Sequence, residues 1–186
     1  MAPFSDFLTR LLANPELLTH LQPSEPFLWS LSARFRETDD ATLLGGRSVS
    51  DPVHLRLLRG AVWYALDELD TAHRIFQEES SGLGSYWHGM MHRREGDFDN
   101  ARYWFRRAGR LPVFGRIQEE ARGHSATMAR QHTWDPYLFT GLCEQVRFGE
   151  SDLLPECRAL QRAEFKALLA YSWEKAVGET AEQGPP

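Results

Sequence analysis

Lysine is almost missing from this chain: of 21 basic residues only Lys166 and Lys175 are lysine, and the rest are arginine. Such an excess is what a GC-rich coding sequence produces, so the total carries no function, and only local arginine clusters invite anion recognition through guanidinium forks. Cysteine is scarce as well. Cys143 and Cys157 are far apart in sequence and form no CxxC pair, which excludes a disulfide framework and reads as two buried, reduced thiols in a cytoplasmic protein. No apolar run is long enough to span a membrane. The segment MAPFSDFLTRLL lacks a basic start and a long apolar stretch, so no secretory signal is expected. A net charge of −5 argues against general nucleic-acid binding. No segment alternates apolar and polar residues long enough for a strand. Neither G-x-S-x-G nor G-x-x-x-x-G-K-[ST] is present, so no motif names a reaction.

What is present is helical periodicity. The 186 residues are 42% hydrophobic and 25% charged, enough to bury a core in one domain. Ser5 caps a helix to about Leu12, Pro15 opens a short one over 15–21, and Pro26 starts another over 26–36 that carries Phe27, Leu28, Leu31 and Phe35. Residues 37–50 read as a loop whose Leu43–Leu44 pair docks on the core. Asp51–Pro52 is a cap-plus-proline signal for a helix to about Ala65. Helices follow over 68–80, over 84–95 after a turn at Gly82 and Gly84, and from Asp97 or Asp99 to Gly109. A further helix reaches Ala129 from Pro112. Asp135–Pro136 repeats the start signal for 135–148, with Trp134 as a staple against Leu138 or Phe139. Ser151 and Pro155 open a last helix to Val177. The prediction is an all-α single domain of about eight to nine helices. Residues 1–50 form N-terminal helices and a loop, 51–112 a repeat-like core, 113–177 the C-terminal helices, and 178–186 a frayed tail.

The core contains an internal repeat. With an offset of 29 residues, Gly60 aligns with Gly89, Leu69 with Phe98, Ala72 with Ala101, and Phe76 with Phe105. Small residues let two helices approach, and the aromatic fills the groove between them. The second copy, with Gly89, Gly96-Asp97-Phe98, Ala101, Phe105, Ala108 and Pro112 one place early, resembles a tetratricopeptide repeat. The resemblance extends over 53–112, and its spacing is shorter than the ~34 residues usual in that family. Through SYWHGMMHRREGDF, ARYWFRRAG and WDPYLFTGLCE the whole chain also resembles a family of uncharacterised bacterial proteins, which implies no activity. The tetratricopeptide resemblance implies a stack of antiparallel helix pairs whose first helices line a concave face. Leu57, Leu58, Ala61 and Tyr64 would face it from the first copy, and Tyr86, Trp87, Met90, Arg93 and Arg94 from the second. In that family such a face binds a peptide or partner protein. The implied function is therefore a binding module for a protein or an acidic peptide, with Tyr64, Tyr86, Trp87, Met90, Arg93 and Arg94 as contacts.

The second copy departs from the template where a helix should pack with Leu and Tyr. It has His88 and His92, and the first copy has Arg59 and Trp63. Polar groups at packing positions need partners, and local rules tend to fail at functional sites. His88, His92 and Glu95 lie at i, i+4 and i+7 on one helical face. A divalent metal fits such a 2-His-1-carboxylate set, with His73 as a fourth group. Position 89 is Gly, so the motif is not the zinc-protease H-E-x-x-H. No other cofactor is expected. The competing reading is a core whose histidines are hydrogen-bonded to backbone or to Glu95 and Asp97. Residues 92–116 add seven arginines against Glu95, Asp97 and Asp99, a local +4. They suit either an anionic-ligand pocket or a solvated face paired with acids elsewhere. An enzyme acting on a small anion through His88, His92 and Glu95 is thus the alternative to the binding module. A homodimer subunit with purely structural polar residues is the third reading.

Overall fold

The structure, a computed structural model, describes residues 4–26 and 28–178; the expected tail at 179–186 and Phe27 lie outside them. Among these residues the protein is all helical, with no strand. The elements are α1 (Asp6–Leu12), α2 (Trp29–Arg36), α3 (Asp40–Leu44), α4 (Pro52–Ala65), α5 (Leu69–Phe76), α6 (Gly82–Glu95), α7 (Phe98–Ala108), α8 (Phe114–Ala121), α9 (Ala126–Ala129), α10 (Pro136–Arg147) and α11 (Leu154–Val177), with a 3₁₀ turn over Ser151–Leu153. No helix is long and apolar enough to cross a membrane.

Capping explains most of the starts. Asp51 Oδ1 accepts from Val53 N and His54 N, and Asp135 Oδ1 accepts from Tyr137 N and Leu138 N, each ahead of a proline that needs no donor partner. Ser5, Asp39, Ser81, Asp97 and Ser125 cap the same way. Gly96 ends α6 at φ 82°, a left-handed cap open to glycine at little cost.

Helices α4 and α5 form one antiparallel hairpin, α6 and α7 the next, and the two pack through α5 and α6. Both hairpins close on the contact seen in the sequence. A Cβ on Gly60 would lie 2.5 Å from Phe76 Cε1, and one on Gly89 2.8 Å from Phe105 Cδ1. The N-terminal helices cover the α4 side, where Phe35 stacks on Phe7 and meets Trp63 edge-on. Helix α10 packs on α7 and α11. Helix α11 lies across α4 and α8, and its side chains reach α6.

Five local expectations change. Residues 15–21 are not a helix: Leu18 sits at φ 57°, and Gln161 Nε2 donates to the carbonyls of Leu18 and His20 in place of a helical ladder. This irregular path buries Leu17, Leu18 and Leu21 together. The helix expected from Pro26 begins only at Trp29. The 37–50 loop contains α3, held between the Asp39 cap and Gly45, and Leu43 and Leu44 are fully buried as expected. The 112–129 helix is broken into α8 and α9, since Ser125 starts a new helix after the turn at Gly123. Gly82 and Gly84 belong to α6 itself, where a Cβ on Gly84 would lie 2.5 Å from Glu79 O.

Gly89→Ala should lower unfolding free energy by about 1–3 kcal/mol, because the new methyl meets the Phe105 ring. Gly141→Ala, in α10 with open space around it, should raise stability by about 0.5–1 kcal/mol. Urea denaturation of both variants measures the two effects.

Candidate functional site

Helix α6 is buried on nearly every side, from Leu83 to Arg94. A helix wrapped this way must find partners for its polar side chains within the protein, and its two faces differ in what they find.

One face carries the residues assigned to an open peptide groove. Four of them, Tyr64, Tyr86, Trp87 and Arg93, meet the chain's own α11. Tyr64, Tyr86, Trp87, Met90, Arg93 and Arg94 are all buried. Tyr64 stacks on Phe165, and Trp87 meets Phe165 edge-on and donates to Ser172 Oγ at 3.4 Å. Arg93 pairs with Glu164, a carboxylate with no solvent exposure, and its guanidinium lies 4.2 Å from the Phe139 ring centroid. Tyr86 OH donates to Glu164 Oε1 at 2.7 Å, and Trp134 Nε1 donates to Tyr86 OH at 2.5 Å. Burial opposes the Arg93 charge, but Glu164 holds its pKa above the ordinary arginine value. Burial, with Glu164 beside it, pushes the Tyr86 phenol well up. Arg94 donates to Tyr64 O at 2.6 Å, His20 O at 3.0 Å and Asp67 Oδ1 at 2.5 Å. These arginines bind the protein to itself.

The other face carries the histidines. His73 from α5 meets His88 and His92 from α6, with ring centroids 4.8 and 5.0 Å away, and His88 and His92 lie 4.7 Å apart. One nitrogen from each of the three rings can be chosen so that all lie within 4.8 Å of one another. His88 stacks on Trp104 at 3.9 Å, is 2% exposed, and neither of its ring nitrogens has a hydrogen-bond partner. Burial, then the neighbouring His92 and His73, drives its pKa down to about 3. The His73 pKa is lowered by burial and by His92. His92 Nδ1 and Glu95 Oε2 are 2.8 Å apart, and Asn100 Nδ2 lies 3.2 Å from His92 Nε2.

The expected set of His88, His92 and Glu95 thus changes its membership. His73 joins the two α6 histidines as the third imidazole, and Glu95 stands behind His92. Asn100 had no signal beyond its place in the second hairpin. Glu164, between Arg162 and Lys166 in α11, had none either. Beside the histidines, Glu25, Asp67, Glu68, Asp70 and Glu95 line an acidic recess. Of the arginines in 92–116, Arg102 pairs with Asp99 and Glu144, Arg116 forks onto Glu174 at 2.8 and 2.9 Å, and Arg107 lies over Tyr103 and Trp104. Cys143 and Cys157 are both buried and unbridged. No protein-family model, curated protein or solved structure matches the chain.

Arg93→Met should cost about 3–5 kcal/mol by stranding Glu164, while Arg93→Met with Glu164→Leu should cost much less, as chemical denaturation of the pair will read out. The histidines give a pH prediction. The folded pKa of His88 lies below its unfolded value near 6.5, so only the unfolded chain takes up that proton as pH falls. Its contribution is flat above pH 6.5 and is lost progressively down to about pH 3. Between pH 6.5 and 4.5 the metal-free protein should lose on the order of 2 kcal/mol more than His88→Leu does, measured by denaturation at each pH.

Proposed function

We propose that this protein binds one divalent d-block metal ion at His73, His88 and His92. The observation that carries the reading is His88: a buried imidazole with two unpartnered nitrogens, facing two more imidazoles. Leaving buried polar atoms unsatisfied costs about 1–3 kcal/mol each, and an ion would remove part of that cost. The depressed pKa values of His88 and His73 leave their lone pairs free of protons at neutral pH, which is the form a metal takes. Glu95 on His92 Nδ1 would fix the tautomer and leave Nε2 for the ion, in the manner of a carboxylate behind a ligating histidine. Asn100 would then give up its contact to Nε2. Zinc–nitrogen bonds of about 2.0–2.1 Å require the three rings to draw closer than they stand. Imidazole donors favour zinc, copper, nickel or iron over magnesium and calcium. The acidic recess would raise the local concentration of cations.

Three protein ligands leave a coordination position for water or a small anion, as in catalytic sites rather than closed structural ones. A metal bound there would supply Lewis acidity and a more acidic water. The tetratricopeptide-like hairpins then act as the frame of the site. The metal reading is preferred to partner binding because the assigned groove residues are buried, Tyr64, Tyr86, Trp87 and Arg93 against α11. Reduced, buried Cys143 and Cys157 favour a cytoplasmic setting.

The test is metal content and zinc titration on tag-free protein. About one equivalent per chain is expected, lost in His88→Ala and in His73→Ala, with affinity reduced about 10–100-fold in Glu95→Gln. Absence of metal from the purified protein together with no zinc binding in the titration, in a chain whose circular dichroism remains helical, would overturn the reading.

A further inference from the structure

A second site lies on the N-terminal side, away from the histidines. A cavity of about 490 Å³ opens between α1, α2 and the α3 end, within the roughly 300–1,000 Å³ range of small-molecule sites. Its walls are apolar: Phe7 and Leu11 come from α1, Leu31 from α2, and Leu66, fully buried, follows α4. Its polar lining is unbalanced. Arg10 and Arg34 contribute two guanidinium groups against one carboxylate, Asp6, and Arg47 also lies in the lining. Arg47 is held with its guanidinium 5.3 Å from the Trp173 ring centroid. The Arg10 and Arg34 side chains are exposed and make no ion pair or hydrogen bond within the described residues. This contrasts with Arg59, Arg93, Arg94, Arg102 and Arg116, each of which has a carboxylate. A local excess of positive charge on a chain of net charge −5 is a selective feature for an anion.

We propose that this cavity binds a small amphiphilic anion, with an apolar tail against Phe7, Leu11, Leu31 and Leu66 and an oxyanion head between Arg10 and Arg34. A bare anion would leave the apolar wall unused, and a cationic amphiphile would meet the wrong sign. Guanidinium forks suit carboxylate and phosphate heads alike, and exposed arginines can reach a head at the mouth while the tail is desolvated inside. The site is independent of the metal centre.

The probe is decanoate, titrated by calorimetry into the full chain at concentrations below micelle formation. Decyl phosphate, decyltrimethylammonium and acetate are titrated in parallel. Saturable binding of one decanoate per chain is expected, with decyltrimethylammonium and acetate at least tenfold weaker. Decyl phosphate against decanoate identifies the preferred head. Arg10→Ala with Arg34→Ala removes only exposed side chains and should weaken decanoate at least tenfold at unchanged melting temperature. Leu31→Trp should block the tail. Equal affinity for the cationic and anionic amphiphiles, an unchanged affinity in the double variant, or no saturable decanoate binding would each overturn the proposal.

Discussion

The ion pair between Arg93 and Glu164 is the interaction on which the arrangement of the other helices depends. Two opposite charges without solvent are costly to bury, and only close approach and additional hydrogen bonds repay the cost. Here the repayment is spread over the interior. Tyr86 and Trp134 complete the polar chain from Glu164, and Phe105 and Phe139 cover the guanidinium. Because those groups come from α6, α7, α10, α11 and the segment before α10, the pair can form only when all of them are in place. It therefore selects one packing among the many that a helix such as α11 could adopt on the others.

The same demand shapes the histidine face. With α6 enclosed on one side by α11 and on the other by α5 and α7, His88 is buried, and among the described residues no carboxylate bonds to it. On the Arg93 face the protein supplies a carboxylate. On the His88 face it supplies only two other imidazoles and an indole. That asymmetry within one helix is the physical content of the metal reading: Arg93 leaves only Nε without a partner, whereas both ring nitrogens of His88 lack one among the described residues.

The sequence made the helix starts legible wherever a side chain could cap a backbone with its own neighbours, as at Asp51–Pro52 and Asp135–Pro136. It also made legible the glycine–aromatic contact that closes both hairpins, because small and large residues there recur at a fixed offset. The polar misfit at His88 and His92 was visible for the same reason. Partners that arrive from far along the chain were not. Gln161 takes over the carbonyls of Leu18 and His20, so proline and leucine spacing alone pointed to a helix at 15–21 that does not form. Arg93 and Arg94 were expected as ligand contacts because the repeat resemblance puts them on the binding face; their carboxylates are Glu164, 71 residues on, and Asp67, 27 residues back. Nor can local periodicity tell a groove from one already filled.

Gln161 also ties the N-terminal turn to α11 across 143 residues of chain. Helix α11 is the last of the described helices to be synthesised, so on the ribosome the earlier helices wait with their interior open. During that interval Arg93 has no carboxylate, the turn at Leu18 has no donor for its carbonyl, and the concave side of the hairpins is exposed apolar surface of the kind that aggregates. Contacts of such long sequence separation slow folding even in an all-helical chain, where local contacts normally make it fast. The side of α4 and α6 that α11 covers is thus the last part of the interior to close.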